Sequence, residues 1–514
     1  MSSLNTRYSV RELQQQYDAG NKQPLEDLLR AWIGIKALPP EDLNSFFVLG
    51  GYHGEPFAGQ GATDPSYWGG YCNHGNVLFP TWHRVYVWRI EKALQSIVPG
   101  VTMPYWDETS EQTRMQGIPS ILTAQKVELD GKQVDNPLRS YVLQKAVNDA
   151  VAGDDKRYSK PAGYETVRYP LSGLVGTAEA QAQTEMHNAK FKDPVTNTNL
   201  LNSNVVAWLK GGPVTNSDPH PLKGGVYWQF ETCLDAPNYT AFSNTTSAAA
   251  WTKEYKVKTV PLEQPHNDIH LAVGGFDVYN EGEFGQISGA NGDMGENNTA
   301  GLDPIFFFHH CNVDRMFWLW QQQTGHTDSF DIIAGYAGTS ANTLPQGGQG
   351  PAVGQEMGEE LTMDTPLYPF IKDATDPNSY FTSRDCINSE SQLGVTYSAG
   401  SLASGQRLFA KTAKAEQPLL RVWGIDRSLL SGSFVISAYA DVGGKQIPLG
   451  HHTVLSRWNV KHCKNCQTHL GVEAFFDLSD LSADELSKAT FSVHINHRQD
   501  ALPEALQYHT EVLR

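Results

Sequence analysis

A proline-started helix that carries a histidine is predicted at two places in this chain. The first is residues 72–84, CNHGNVLFPTWHR, where Pro80 suits the first turn of a helix because its missing amide hydrogen is not needed there. This helix carries His83, and His74 falls in the loop before it. His53 lies further upstream, in a long Gly-rich loop. Loops of this length often take part in ligand binding.

The second place is residues 303–315, DPIFFFHHCNVDR. Asp303 serves as the N-cap and the proline after it as the first helical residue, so His310 lies about two turns into the helix. Upstream stands the segment HNDIH, in which His266 and His270 are four residues apart and share one helical face. Three imidazoles can therefore converge from two helices.

Six histidines thus form two sets of three: His53, His74 and His83, and then His266, His270 and His310. A lone His-x-x-x-His pair is most often accidental, so the prediction of a metal site rests on the occurrence of two sets of three histidines. A zinc protease is excluded because Asn267 stands where His-Glu-x-x-His has its general base. Imidazole serves copper, zinc, iron and nickel, but zinc hydrolases usually add a carboxylate, so paired all-imidazole sites favour copper.

The spacing of apolar residues changes near residue 398. Helix-like spacing prevails before it, and alternation typical of strands follows, at 433–439, 472–476 and 489–495. We predict a mainly α domain over residues 1–398 and a C-terminal β-sandwich domain over residues 404–514. The Ser/Gly/Ala-rich stretch 398–405 is the candidate linker.

The charge balance argues against a nucleic-acid partner. Lys and Arg total 39 against 56 Asp and Glu, a net charge of -17, and no basic run could follow a phosphate backbone. No segment approaches the roughly 18 consecutive apolar residues of a membrane span, so we expect no membrane association. Without an apolar stretch after basic residues near the start, and with few cysteines, we expect a cytoplasmic protein.

Both histidine segments resemble the copper signatures of the tyrosinases, catechol oxidases and molluscan-type haemocyanins. Residues 74–91 match the first signature and residues 303–314 the second, in the order the family has them. The motifs PYWD at 104–107 and SRWNVKHCKNCQTHL at 456–470 resemble the long-chain fungal tyrosinases. The resemblance therefore covers most of the chain.

The resemblance implies a helical bundle that holds a binuclear copper site, with two copper ions as cofactors and O2 as cosubstrate. It assigns one copper to His53, His74 and His83, and the other to His266, His270 and His310. His309 is adjacent to a ligand but is not one in the family's pattern.

The resemblance also implies roles for three cysteines. Cys72 would form a thioether bond to the ring of His74, and the alternative is an ordinary buried thiol. Cys463 and Cys466 would receive copper from a donor, because soft thiolates suit Cu(I).

Glu263 and Asn267 would hold a water that deprotonates monophenols, by the same resemblance. The alternatives are a solvated carboxylate for Glu263 and a helix cap for Asn267. Losing the phenolic proton matters, because a phenol has a pKa near 10.

The implied activity is that of a tyrosinase, which hydroxylates monophenols and oxidises o-diphenols to o-quinones. A catechol oxidase, an o-aminophenol oxidase and a haemocyanin-like O2 carrier are the alternatives. The expected partners are small phenols and catechols, and a homo-oligomer is left open.

The C-terminal domain resembles the tail of fungal pro-tyrosinases, which implies a lid that makes the intact enzyme latent. Val454, Leu455 and Trp458 are the candidates to occupy the substrate cleft. Residues 296–300 are expected to line the entrance.

Overall fold

Nearly all of the helices lie in the chain before residue 325. The computed structural model describes residues 4–54, 70–148, 156–214, 220–279, 292–341, 358–403, 408, 416–458, 460, 470–498 and 501–514. The helices are α1 (Val10–Asp18), α2 (Gln23–Ala37), α3 (Phe46–Gly51), α4 (Phe79–Ile97), α5 (Glu111–Gln116), α6 (Ala178–Asn188), α7 (Pro194–Lys210), α8 (Val226–Cys233), α9 (Tyr239–Ser243), α10 (Thr245–Tyr255), α11 (Glu263–Gly274), α12 (Ile305–Thr324) and α13 (Ala483–Lys488). No helix in these ranges is both long and apolar enough to span a bilayer.

Strands concentrate in the C-terminal part. They are β1 (Asn5–Arg7), β2 (Lys126–Leu129), β3 (Lys132–Asp135), β4 (Pro366–Ile371), β5 (Tyr380–Thr382), β6 (Val395–Tyr397), β7 (Leu419–Asp426), β8 (Phe434–Val442), β9 (Lys445–Val454), β10 (Gly471–Asp477), β11 (Thr490–Asn496) and β12 (His509–Leu513). The first six form three two-stranded pairs.

The last six strands form two antiparallel sheets, ordered β10-β7-β12 and β11-β8-β9. Leu420, Ile436 and Phe476 are among the side chains with which both sheets build one shared core. The predicted fold class, a mainly helical domain followed by a sheet domain, is confirmed.

A buried ion-pair network joins α4 to α12. Arg84 Nε donates to Asp314 Oδ1 at 2.5 Å, and both side chains are at most 1% exposed. Arg7 of β1 donates to Asp314 Oδ2 at 3.2 Å and to Glu91 Oε2 at 2.8 Å. Because an unpaired buried charge is costly, this network holds the two helices in one register.

The two histidine-bearing helices begin close to where the sequence predicts. α4 begins at Phe79 with Pro80 in its first turn, as predicted. α12 begins at Ile305, one residue later than predicted. Asp303 still caps it, because its Oδ1 accepts from the N–H of Ile305 at 3.0 Å. Both Asp303 oxygens also accept from Arg168, at 2.7 Å each.

The first residues of the predicted linker are tied to the helical domain. Ser401 N–H donates to Asp107 Oδ2 at 2.7 Å, and Arg315 donates to the carbonyls of Ala399 and Ser401. These hydrogen bonds hold residues 399–401 against the helical domain, and the boundaries of the two domains stay a prediction. Residues 404–407 lie outside the described ranges.

We expect Asp314→Ala to lower the free energy of unfolding by about 3–5 kcal/mol, because it leaves Arg84 without its buried carboxylate. Urea unfolding of the metal-free protein measures this. The exposed pair of Arg384 and Asp364 supplies the control, since Asp364→Ala should change stability little. Equal effects of the two substitutions would contradict a structural role for the buried network.

Candidate metal centre

Six imidazole rings gather where α3, α4, α11 and α12 meet. The first triad is His53, His74 and His83, whose ring centroids lie 5.1 to 5.7 Å apart. The second triad is His266, His270 and His310, at 4.6 to 5.5 Å. The triads adjoin, since the rings of His83 and His310 stack at 4.6 Å.

Four of the six rings are oriented by a hydrogen bond at Nδ1. The acceptors are Asn297 O for His53 at 3.0 Å, Phe79 O for His83 at 2.8 Å, Met294 O for His270 at 2.9 Å and Asn267 Oδ1 for His266 at 2.9 Å. An oxygen acceptor fixes the hydrogen on Nδ1, so the lone pair stays on Nε2. Histidine ligands of metals are commonly held in this way.

The Nε2 atoms are placed to share metal ions. His310 Nε2 lies 3.2 Å from His266 Nε2 and 3.3 Å from His270 Nε2. Metal–imidazole bonds of about 2.0 Å give nitrogen–nitrogen separations of this size around one ion. In the first triad, the buried Nε2 atoms of His53 and His83 have no hydrogen-bond partner among the described residues. A metal ion satisfies such atoms.

The rings are held in the neutral form that binds metal. Burial lowers the pKa of five of them well below the usual range, and neighbouring imidazoles lower it further: His53, His83, His266, His270 and His310. Neutral nitrogen donors without a carboxylate suit copper. The donor set therefore fits the metal that the resemblance implies.

His309 is held beside the second triad rather than within it. Its donor atom lies within 4.8 Å of those of the triad, but its Nδ1 bonds to Glu108 Oε1 at 2.6 Å. Glu108 also accepts from Asn312 Nδ2 at 3.1 Å. Burial lowers the pKa of His309 to about 3 and raises that of Glu108. Its exclusion from the ligands stays a prediction.

Cys72 lies beside the first triad. Its Sγ and one nitrogen each of His53 and His74 all lie within 4.8 Å of one another. Burial raises the pKa of the Cys72 thiol to about 11. The thioether to His74 stays a prediction.

Cys463 and Cys466 lie outside the described residues, so copper loading through them also stays a prediction.

Glu263 is buried at the first turn of α11, not solvated as the alternative held. Its carboxylate accepts from the N–H of Gly75 at 2.9 Å, and from the N–H and hydroxyl of Thr245 at 2.9 and 3.1 Å. Burial raises its pKa, and these donors together with Arg427 oppose the rise. Such a carboxylate is a stronger base than an exposed one.

Asn267 lies inside α11 and is not a helix cap. Its Oδ1 accepts from His266 Nδ1, so the side chain supports a predicted ligand. Its amide group also borders a cavity, together with Glu263 and His74. His74 is the partly exposed member of the first triad.

This cavity, of about 210 Å³, lies between the helical domain and the C-terminal domain. Val454 and Leu455, at the end of β9, line its wall, as does His74. Of the predicted candidates, these two are therefore among the residues that line a cavity together with His74, and which of them would occupy the cleft stays a prediction. We call this space the substrate cavity.

Trp458 instead anchors the C-terminal domain at another point. Its ring packs on Tyr158 with centroids 5.4 Å apart, and the Arg157 guanidinium lies 4.9 Å from it. Further bonds between the domains join Ser433 Oγ to Gly295 O at 2.9 Å, Gln264 Nε2 to Thr453 Oγ1 at 2.9 Å, and Lys223 Nζ to Asp477 Oδ2 at 2.7 Å.

The segment 296–300 is buried, and the N–H of Asn297 donates to Ser456 O of the C-terminal domain at 3.4 Å. Its place at an entrance stays a prediction. The carbonyl of Asn297 orients His53 from this segment, and that of Met294 orients His270. Sequence reasoning missed both supports, as well as Glu108. A backbone acceptor leaves no residue-type signal, whereas the carboxylate of Glu108 lies next to the PYWD motif.

Comparisons with known proteins agree with this geometry. The family profile described as the common central domain of tyrosinase matches residues 43–323. A tyrosinase of Hahella sp. (strain CCB-MM4) is 57% identical, over 97% of this chain and 92% of its own. A tyrosinase of Aspergillus oryzae is 41% identical, over 96% and 93%. The solved structure of tyrosinase from Burkholderia thailandensis at low pH is 57% identical, with a TM-score of 0.88 over 99% of this chain and 100% of that one.

A helical core that gathers two adjoining all-imidazole triads has the donor set that a binuclear metal site requires. The chain belongs to the tyrosinase family of copper-dependent oxidoreductases. The predicted family and enzyme class are confirmed.

We expect alanine at any of the six triad positions to reduce both bound copper and turnover, because an ion with two donors is under-coordinated. The positions are His53, His74, His83, His266, His270 and His310. Metal analysis and oxygen uptake measure this. His509→Ala, on an exposed strand, is the control. His187 is unsuitable because it is buried and bonds to Pro170 O at 2.8 Å. Full activity of His310→Ala would contradict the assignment.

Proposed function

We propose that the protein binds two copper ions and, with O2, hydroxylates monophenols and oxidises o-diphenols to o-quinones. The observation that carries the proposal is the pair of adjoining triads of neutral imidazoles with no carboxylate among them. Bound copper would supply the electrons that reduce dioxygen. The first triad would hold one ion and the second triad the other.

The substrate ring would enter the substrate cavity, where His74 is the partly exposed ligand. Glu263 and Asn267 border the same space. A water between them would take the phenolic proton and pass it to a carboxylate oxygen of Glu263. The raised pKa of Glu263 supports this, since a base works best with a pKa near the working pH.

Monophenols should depend on this proton transfer more than catechols, which have a second hydroxyl to lose. We expect Glu263→Gln to lower the ratio of tyramine to catechol turnover by about 10²-fold, the lower end for a positioned base. Asn267→Leu should lower the ratio too, but it also removes the support of His266. Both variants are therefore compared with the unmodified protein at equal copper loading.

Glu254→Gln is the control, because Glu254 is an exposed carboxylate of α10. An unchanged ratio in Glu263→Gln would remove the base role. If the unmodified protein oxidises catechols but not monophenols, the result would indicate a catechol oxidase. If it oxidises neither substrate, the result would indicate an O2 carrier.

We also propose that the C-terminal domain acts as a lid. Leu455 lines the same cavity as His74, and Trp458 packs on Tyr158 of the helical domain. Such contacts restrict entry until the domain moves. The intact chain would then be slow with bulky substrates.

We expect Trp458→Ala to raise turnover of a bulky catechol several-fold in the intact chain, because it removes the anchor on Tyr158. Trp423→Ala is the matched control, since the Trp423 ring packs on His509 within the C-terminal domain. Turnover is measured by oxygen uptake before and after proteolysis near residue 400. If Trp458→Ala and proteolysis both leave the rate unchanged, no lid operates.

A further inference from the structure

The substrate cavity has two chemically different ends along α10. At the start of this helix, Thr245 donates two hydrogen bonds to Glu263, beside the metal centre. The cavity wall continues along the same helix through Ala249 to Lys253. Lys253 is eight residues beyond Thr245, which is about 12 Å along the helix axis.

At the far end, Lys253 carries a positive charge that no acidic residue in the described part of the cavity wall neutralises. Glu473 also lines the cavity, but Arg421 pairs with both of its oxygens, at 2.8 and 3.1 Å. Glu263 is at the other end, where its carboxylate accepts hydrogen bonds from Thr245 and Gly75. Lys253 forms no ion pair with any described residue, and its side chain is exposed. An anionic group that enters from this end would lie close to the ammonium group of Lys253.

The size of the cavity limits what can reach both ends. A cavity of about 150 Å³ is enough for benzene, so the observed 210 Å³ holds one ring and a short chain. A side chain on a helix leans toward the helix N-terminus, so Lys253 extends back toward the ring. A phenol with a two- or three-carbon para chain that ends in a carboxylate has a comparable length.

We infer that the enzyme selects phenols and catechols whose para chain ends in a carboxylate, and that Lys253 binds this carboxylate. The inference rests on the proposed function, because it assumes that the hydroxylated end of the ring faces the two triads. Lys253 contacts a part of the substrate that does not react. It therefore contributes to binding equally before and during the reaction, which changes KM and leaves kcat unaltered.

The test compares 3-(4-hydroxyphenyl)propionate with tyramine, which carries an ammonium group instead. We expect Lys253→Glu to lower the ratio of kcat/KM for the acid over the amine by about tenfold, and Lys253→Gln by about threefold, as for partly exposed ion pairs. The change should lie in KM, and added salt should weaken the preference of the unmodified enzyme. Uncharged 4-ethylphenol should be oxidised equally by all three proteins.

Lys132→Glu is the matched control, because Lys132 is exposed on β3 and the substitution changes the net charge equally. It should leave the acid-to-amine ratio unaltered. A similar fall in Lys132→Glu would assign the effect to overall charge and overturn the inference. An unchanged ratio in Lys253→Glu would overturn it as well.

A binding measurement separates this inference from the proposed function. Calorimetry with 3-phenylpropionate and 3-phenylpropylamine, which lack a hydroxyl group, reports binding without turnover. We expect the acid to bind the unmodified protein more tightly, and Lys253→Glu to remove that preference. Failure to oxidise any phenol or catechol would refute the proposed function alone. The absence of a preference for the acid, or a preference that Lys253→Glu retains, would refute the role of Lys253.

Discussion

The buried ion pair between Arg84 and Asp314 sets the geometry on which the metal centre depends. Arg84 directly follows His83, and Asp314 lies one turn after His310, so each charge is next to a predicted ligand. Packing of apolar side chains alone tolerates small shifts between helices. When a buried ion pair separates, each charge is left buried without the attraction of its partner, which is strongly destabilising. The stacking of the two rings at 4.6 Å follows from this register.

Local signals predicted the ligand-bearing helices, but not what supports the ligands. Pro80 and Asp303 mark helix starts through their own backbone chemistry, so the predicted boundaries were correct within one residue. The carbonyls of Asn297 and Met294 that orient two rings could not be predicted. Every residue has a carbonyl, and only the folded path of the backbone determines which one lies beside a ring. The burial of Glu263 could not be predicted from the residues around it, because its hydrogen-bond donors, Gly75 and Thr245, come from other segments of the chain.

The substrate cavity belongs to both domains. The helical domain contributes His74 and Asn267 to its wall, and the C-terminal domain contributes residues at the end of β9 and the residue after it. If the C-terminal domain is the lid that we propose, the surface that covers the site also shapes the space that a substrate would enter. A change at Leu455 alters the volume of the cavity, whereas a change at Trp458 alters how firmly the cover is held.

The central claim is that the two triads hold one copper ion each. Anomalous diffraction at the copper absorption edge, from crystals of the copper-loaded protein, tests it most directly. We expect two peaks, one among the Nε2 atoms of His53, His74 and His83 and the other among those of His266, His270 and His310. A single peak, or a peak bonded to His309 in place of His310, would contradict it.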